Sequence, residues 1–179
     1  MTPHARAAKA DQRIYGVVHG LVVDVVDPAE LGRVKISLPW YASGYEEWAR
    51  VAQLYAGAGF GSTWIPEVGC EVLLSFSHGD MRFPYVLGSL YSAVDPPPES
   101  RTASTDVKTL RTPAGSELSF DEGEGTIALK TPGGASIRLD ENAGAITLES
   151  AQKIDLTAPE ITIDASTKVT IRGALVAIN

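Results

Sequence analysis

The chain has 179 residues, enough for one or two domains, and its 17 Gly and 11 Pro with little helix-forming sequence are typical of a β-rich protein. Its formal net charge of -7 argues against a polyanionic partner such as nucleic acid. The single Cys70 excludes an intrachain disulfide framework, and because the polar, basic first residues lack the apolar core of a signal peptide, we expect cytoplasmic synthesis without one.

The first half of the chain is predicted to be a series of strands behind a short arm. Residues 1–13 show no periodicity and are predicted to form an N-terminal arm. The predicted strands after the arm are Tyr15–Val26, Arg33–Leu38, Trp48–Ala52, Glu71–Ser77 and Tyr85–Leu90. Five short strands separated by Gly-rich turns favour a small closed barrel of the OB type, which we place at residues 14–95.

Charged and aromatic residues of this barrel are given structural roles. Trp40 and Trp48 are expected to close the barrel ends. Arg33 and Arg50 are expected to pair with Glu67 or Glu71, although surface pairs of this kind contribute little to stability.

A proline-rich segment separates the barrel from the rest of the chain. Asp95-Pro96-Pro97-Pro98-Glu99-Ser100 favours an extended polyproline conformation, which cannot join a central strand. We therefore predict a linker at residues 96–108 and a second domain at residues 109–179. Its first strands, Lys108–Arg111 and Glu117–Phe120, flank a turn and are predicted to form a hairpin.

The second domain carries a repeat of short apolar-polar-apolar triplets. Such triplets are typical of strands with one buried face. Turn residues such as Gly133-Gly134, Gly144 and Pro159 lie between them. The apolar members predicted to form the core are Ile127, Leu129, Ile137, Leu139, Ile146, Leu148, Ile154, Leu156, Ile161, Ile163, Val169 and Ile171.

One copy of this repeat cannot cover its own apolar stripe. Each triplet offers only two inward side chains, no helix pattern is present to cover them, and strands this short leave both sheet edges open. Three copies winding about one axis would close the three stripes into one core and pair the open edges. The sequence therefore predicts an all-β homotrimer with an intertwined β-helical rod, although a monomeric β-solenoid or half of a sandwich stays open.

Blocks spread through the barrel carry a family resemblance. They are Leu31-Gly32-Arg33-Val34-Lys35-Ile36, Leu38-Pro39-Trp40, Trp48-Ala49-Arg50-Val51-Ala52, Ala56-Gly57, Pro66-Glu67-Val68-Gly69, Glu71-Val72-Leu73, Gly79-Asp80 and Pro84-Tyr85-Val86-Leu87-Gly88-Ser89-Leu90-Tyr91. In order and spacing they resemble the OB domain of the phage baseplate assembly protein V and VgrG spike family. Cys70 departs from the acidic residue more usual at its position. The resemblance implies an OB domain followed by a triple-stranded β-helix.

The same resemblance implies a function and partners. It implies the central spike of a contractile phage tail or phage-like injection system, docked on a tail hub and assembled into the baseplate of a virion or injection particle. The spike would pierce the target envelope and contact its membrane transiently. Chain length leaves no room for a hub domain or a toxin, so a separate hub protein is expected.

The C-terminal end is predicted to carry a tip protein. Leu175, Val176, Ile178 and Asn179 would form a blunt apolar platform in three copies, which is unfavourable in water. Some members of the family build a tip around iron held by a His-x-His motif, but the His residues here, His4, His19 and His78, lie outside the rod. The resemblance therefore implies a separate PAAR-repeat tip, although a final strand that folds back stays possible.

No catalytic residue, metal ligand or cofactor is predicted, and the chain is not expected to be an enzyme. Cys70 with His78 is the only pair that could form a nucleophile and base. The alternative function is an OB-fold module for oligosaccharide or single-stranded nucleic acid. Its stacking residues would be Tyr41, Tyr45, Trp48, Tyr55 and Phe60, although Glu46, Glu47 and the net charge oppose a phosphate backbone.

Overall fold

The computed structural model describes residues 13–41, 44–103 and 106–177, and these residues contain twelve strands and one 3-10 turn. They contain no helix that is long and apolar enough to cross a membrane. The chain divides into two compact units, Met1–Pro97 and Pro98–Asn179, which are described separately. Most of the predicted arm, residues 1–12, lies outside the described residues, and the boundaries of arm and linker stay predictions.

The first unit is a closed five-stranded barrel, as predicted. Its strands close in the order β1-β2-β3-β7-β6, and β3 pairs with β7 in parallel while the other pairs are antiparallel. The strands are β1 Val18–Asp24, β2 Val34–Ser37, β3 Glu46–Val51, β6 Glu71–Phe76 and β7 Pro84–Leu90, and a small hairpin is formed by β4 Ala56–Gly57 and β5 Phe60–Gly61. A 3-10 turn, Ser77–Gly79, follows β6.

The barrel core is built from alternate residues of these strands. In β2, Val34 and Ile36 are fully buried while Lys35 and Ser37 are only half-buried, which confirms the predicted alternation. The buried apolar set is Val22, Val34, Ile36, Leu38, Ala49, Val72, Leu74, Phe76 and Val86. Closure on all sides explains why this unit can bury its apolar residues within one chain.

Gly20 in β1 is required because there is no room for a side chain. A Cβ at this position would lie 2.7 Å from the Ser37 carbonyl oxygen and 2.7 Å from Leu74 Cδ1. We expect Gly20→Ala to lower the free energy of unfolding of the barrel by about 1–3 kcal/mol, because backbone of β2 must move. Gly16→Ala is the matched control, since a Cβ there meets nothing within 4 Å. Equal stability of the two variants in thermal and urea unfolding would contradict this close packing.

Asp27 organises the loop between β1 and β2. Its side chain is 4% exposed and accepts hydrogen bonds from the backbone N–H groups of Ala29 (3.0 Å) and Leu31 (2.9 Å). Arg33 donates to the same carboxylate through Nε (3.1 Å) and Nη2 (2.7 Å). The predicted pairing of Arg33 with Glu67 or Glu71 is therefore wrong, because the loop places the Asp27 carboxylate directly against the Arg33 guanidinium.

This network predicts acid sensitivity. The hydrogen bond from Arg33 holds the pKa of Asp27 well below its ordinary value of 3.8. A carboxylate whose pKa is lower in the folded state stabilises the fold fully at pH values above its unfolded-state pKa. This stabilisation is lost as the pH falls toward the folded-state pKa. We expect the melting temperature of the barrel to fall between about pH 5 and pH 2, and to fall less in Asp27→Asn.

The Asp27→Asn variant should already be less stable near neutral pH, because its neutral amide pairs less strongly with Arg33. Some acid sensitivity should remain, since the hydrogen bond from Arg82 lowers the pKa of Asp80 to about 2. Melting curves that have the same pH dependence in both proteins would contradict the assignment to Asp27.

The second unit begins with a five-stranded antiparallel meander. Its strands are β8 Val107–Arg111, β9 Glu117–Asp121, β10 Thr126–Lys130, β11 Ser136–Asp140 and β12 Ala145–Glu149, each paired with the next. The predicted hairpin of the first two strands is confirmed. The turns are short, and Gly134 (φ 84°) and Gly144 (φ 60°) take the left-handed conformation that tight connections need.

Residues 151–177 form no strand in the single chain, so the strands predicted at Ile154, Ile161 and Val169, which were expected to pair between copies, stay a prediction. Alternation specifies which side chains can share a face, but a strand exists only when its backbone pairs with a neighbour. Within the described residues this segment has no such neighbour in its own chain.

Candidate functional site

The β8–β12 sheet has one face that is almost entirely apolar. The pairing registers place Leu129 opposite both Leu118 and Ile137, and Leu139 opposite both Ile127 and Ile146. Residues two positions apart on one strand share a face, so these rows form one continuous patch. We call it the apolar face, and its members are Leu110, Leu118, Phe120, Ile127, Leu129, Ile137, Leu139, Ile146 and Leu148.

One chain leaves the apolar face uncovered. Leu129 is 48% exposed, Leu148 53% and Ile146 71%, whereas the core residues of the barrel are almost fully buried. Isolated exposed apolar side chains are ordinary, but a contiguous patch across five strands marks an interaction surface.

The opposite face of the sheet is mostly polar, and both of its arginines are paired with carboxylates. Arg111 donates to Glu117 across β8 and β9 and to Glu99 at 3.2 Å, and Arg138 donates to Asp140 at 3.1 Å. The hydrogen bond with Glu117 raises the pKa of Arg111. At the centre of this face Ala128 is 4% exposed and Thr126 is 9% exposed, so within one chain this face is covered more than the apolar face.

Charges near the apolar face sit at its edge and are paired too. Lys108 is at the edge strand, and its ammonium lies 2.6 Å from Glu122 and 3.0 Å from Asp106. The hydrogen bond with Glu122 raises the pKa of Lys108. The apolar face therefore offers packing area rather than a charged site.

The structure gathers half of the predicted core residues on the apolar face. These are Ile127, Leu129, Ile137, Leu139, Ile146 and Leu148. The prediction missed Leu110, Leu118 and Phe120, although the alternation noted at Lys108–Arg111 and Glu117–Phe120 carried the signal. The other predicted core residues, Ile154, Leu156, Ile161, Ile163, Val169 and Ile171, lie in the strand-free segment and are each more than half exposed.

The predicted tip-binding residues are only partly described. Leu175 is 86% exposed and Val176 47% exposed. Ile178 and Asn179 lie outside the described residues.

Comparison with known families gives two matches that together span most of the chain. Residues 18–91 match the type VI secretion system/phage-baseplate injector OB domain. Residues 108–179 match the phage baseplate V C-terminal trimerisation domain. The chain belongs to this baseplate spike family. The apolar face and the strand-free segment after it thus lie inside a trimerisation domain, and the predicted all-β fold class is confirmed.

Relatives of this chain include much longer VgrG proteins. It is 39% identical over 105 residues to the type VI secretion system spike protein VgrG3 of Vibrio cholerae, 38% over 106 residues to the actin cross-linking toxin VgrG1 of Vibrio cholerae, and 39% over 89 residues to VgrG2a of Pseudomonas aeruginosa. The alignments cover 53%, 54% and 43% of this chain. They span only 10%, 10% and 11% of those relatives, so about a tenth of each is matched.

The aromatic residues of the alternative binding function do not form one stacking surface. Tyr45 packs edge-on against Phe76 at a centroid distance of 6.3 Å and donates its hydroxyl hydrogen to the Met81 carbonyl at 2.5 Å. Tyr41 packs against Tyr45 at 6.4 Å, so both support the barrel core.

The remaining three aromatic residues lie in two other places. Tyr55 and Phe60 stack on each other at 5.3 Å on the β4–β5 hairpin, and Trp48 lies under the Arg33 guanidinium. The continuous platform that single-stranded nucleic acid needs is absent from this set.

The structure also separates the one candidate nucleophile and base. Cys70 directly precedes β6 and His78 follows it in the 3-10 turn, so a six-residue strand of about 20 Å lies between them. Among the described residues, no three His, Cys, Asp or Glu side chains are grouped to hold a metal ion.

Proposed function

We propose that this protein is the homotrimeric central spike of a contractile phage tail or phage-like injection system. Three copies would bring their apolar faces together around one axis and continue as an intertwined β-helix through residues 151–177. The observation that carries the proposal is the uncovered apolar face within a trimerisation domain. A shaft whose strand edges are paired between copies resists unfolding when the sheath drives it into a target envelope.

The two ends of the spike would have different partners. The OB barrels would dock on a separate hub protein at the end of the tail tube, and the C-terminal end would carry a PAAR-repeat tip. Exposed Leu175 and Val176 support an apolar contact at that end. The type VI spike names of the relatives support an injection role. The work of the protein would be mechanical, with transient contact with the target membrane and without catalysis.

Co-purification with a PAAR-repeat protein from the same genome tests the tip assignment. We expect Val176→Asp to weaken capture by more than about tenfold, because a carboxylate would replace an apolar contact at the platform. Thr170→Asp is the matched control, since Thr170 lies between the predicted core residues Val169 and Ile171 and would therefore face away from the core. Both variants should keep the mass of the unaltered assembly in light scattering. Equal capture by the two variants would overturn the proposed tip site.

A further inference from the structure

A cleft on the outside of the barrel combines three arginines with three aromatic rings. It has a volume of about 580 Å³, and we call it the arginine cleft. The guanidinium carbons of Arg33, Arg50 and Arg82 lie 5.7, 5.8 and 5.6 Å from the ring centroids of Trp48, Tyr85 and Phe83 respectively. Each pair is within the range of a cation–π contact.

Two of the arginines are fixed in place. Arg33 is held by Asp27 at 2.7 Å and Arg82 by Asp80 at 2.6 Å. Arg50 is exposed, and among the described residues no carboxylate lies within ion-pairing distance of it. The lining carboxylate Glu47 accepts the backbone N–H of Trp48 at 2.9 Å. The cleft therefore offers an unpaired guanidinium between aromatic walls.

Such a surface fits an acidic, proline-rich segment. Guanidinium groups pair with carboxylates through two parallel hydrogen bonds, and proline rings pack on aromatic side chains. The chain itself contains a segment of this chemistry in Asp95-Pro96-Pro97-Pro98-Glu99, and all five of its residues are exposed. Glu99 is used by Arg111, which leaves Asp95 as the carboxylate without an ion pair among the described residues.

The segment begins at the end of β7 that lies away from the cleft of its own chain. Tyr85 lies near the start of β7, and the segment leaves from the other end of that strand, about 17 Å further on. A turn then holds it there, because Ser92 N–H donates to the Asp95 carbonyl at 3.0 Å and Asp95 N–H donates to Ser92 Oγ at 3.0 Å. Three prolines directly after this turn keep the segment stiff and extended.

We propose that the arginine cleft of each barrel binds the Asp95–Glu99 segment of a second copy of this chain, with Asp95 on Arg50 and the prolines against Trp48 and Tyr85. This inference rests on the proposed trimer and adds a contact between barrels that would fix their arrangement around the axis. The net charge of -7 favours a carboxylate segment over nucleic acid as the occupant.

Cysteine crosslinking in the full-length chain tests the contact. The variant carries Arg50→Cys and Asp95→Cys, with Cys70→Ser to remove the native thiol. Light scattering before crosslinking verifies that the assembly is intact. We expect a short bis-maleimide to give linked dimers and trimers on a denaturing gel, because the ends of the Arg50 and Asp95 side chains would meet and place the two Cα atoms further apart than the ~7 Å that a disulfide spans, but within the reach of this reagent. Val17→Cys with Asp95→Cys, also on the Cys70→Ser background, is the control, since Val17 is exposed and directly precedes β1.

The other outcomes would overturn the inference without touching the proposed function. An intact trimer that forms no crosslink between copies would show that the cleft has another occupant. A crosslink within one chain would show that the segment folds back on its own barrel. Binding of a labelled oligothymidine by the unaltered protein that Arg50→Glu abolishes, without crosslinks, would assign the cleft to nucleic acid. Failure to assemble at all in the unaltered protein would instead count against the trimer itself.

Discussion

Replacing Leu148 with aspartate is expected to dissociate the spike into single chains, whereas Thr147→Asp leaves it assembled. Leu148 lies on the apolar face, and Thr147 is the adjacent residue on the polar face, opposite Arg138. Burial of each leucine contributes about 1.5–3 kcal/mol, and the loss occurs in three copies. An unpaired carboxylate within an apolar core adds a further cost.

The solution mass of the two variants measures this effect directly. Because Thr147→Asp puts the same charge on the same strand, it separates the effect of the face from the effect of the charge. A Leu148→Asp protein that keeps the mass of the unaltered assembly would show that the apolar face is not the trimer core. Near-ultraviolet circular dichroism should show the barrel unchanged in both, since it closes on its own residues.

Backbone hydrogen exchange at residues 151–177 is expected to depend entirely on assembly. Within the described residues this segment has no strand partner in its own chain, so only neighbouring copies can protect its amides. We expect its exchange to be slower by about a thousandfold or more in the trimer than in the Leu148→Asp monomer, since exchange then requires opening of the intertwined shaft.

The barrel provides the internal control for this experiment. Amides of β1 and β6 pair within one chain and should exchange at similar rates in both proteins. Slow exchange of residues 151–177 in the monomer would reveal protection from within one chain, and would contradict an intertwined shaft.

The barrel could be predicted from sequence because its strands form hydrogen bonds with one another within one chain. Alternation in residues such as Val34 and Ile36 predicted the buried face, and the turns between strands were marked by Gly and Pro. What sequence did not provide was the partner of Arg33, because the carboxylate that it meets depends on the path of one loop. Asp27 accepts three backbone N–H groups of that loop, a geometry that composition does not encode.

In the second unit, the periodicity of the sequence and the strands of a single chain agree only in part. The triplets at Ile127, Ile137 and Ile146 pair within the chain as a meander, so periodicity and structure agree there. The triplet at Ile161 has the same periodicity but no strand in one chain. Its pairing would be decided by other copies, which a pattern along one chain cannot specify.

The arginine cleft was also beyond sequence reasoning. Arg50 and Tyr85 come from strands that are far apart in the chain and meet because β3 and β7 pair in parallel. Each residue alone resembles ordinary barrel surface, and only the closure of the barrel brings the arginines and rings into one cleft.

The solution mass of the full-length protein, measured by light scattering beside a version ending at Pro97, tests the trimer most directly. We expect the full-length protein to have three times the chain mass of 19.0 kDa. The shortened version should be a folded monomer, because its core is complete within one chain while the apolar face is removed. A full-length protein that has the mass of one chain would contradict the intertwined spike.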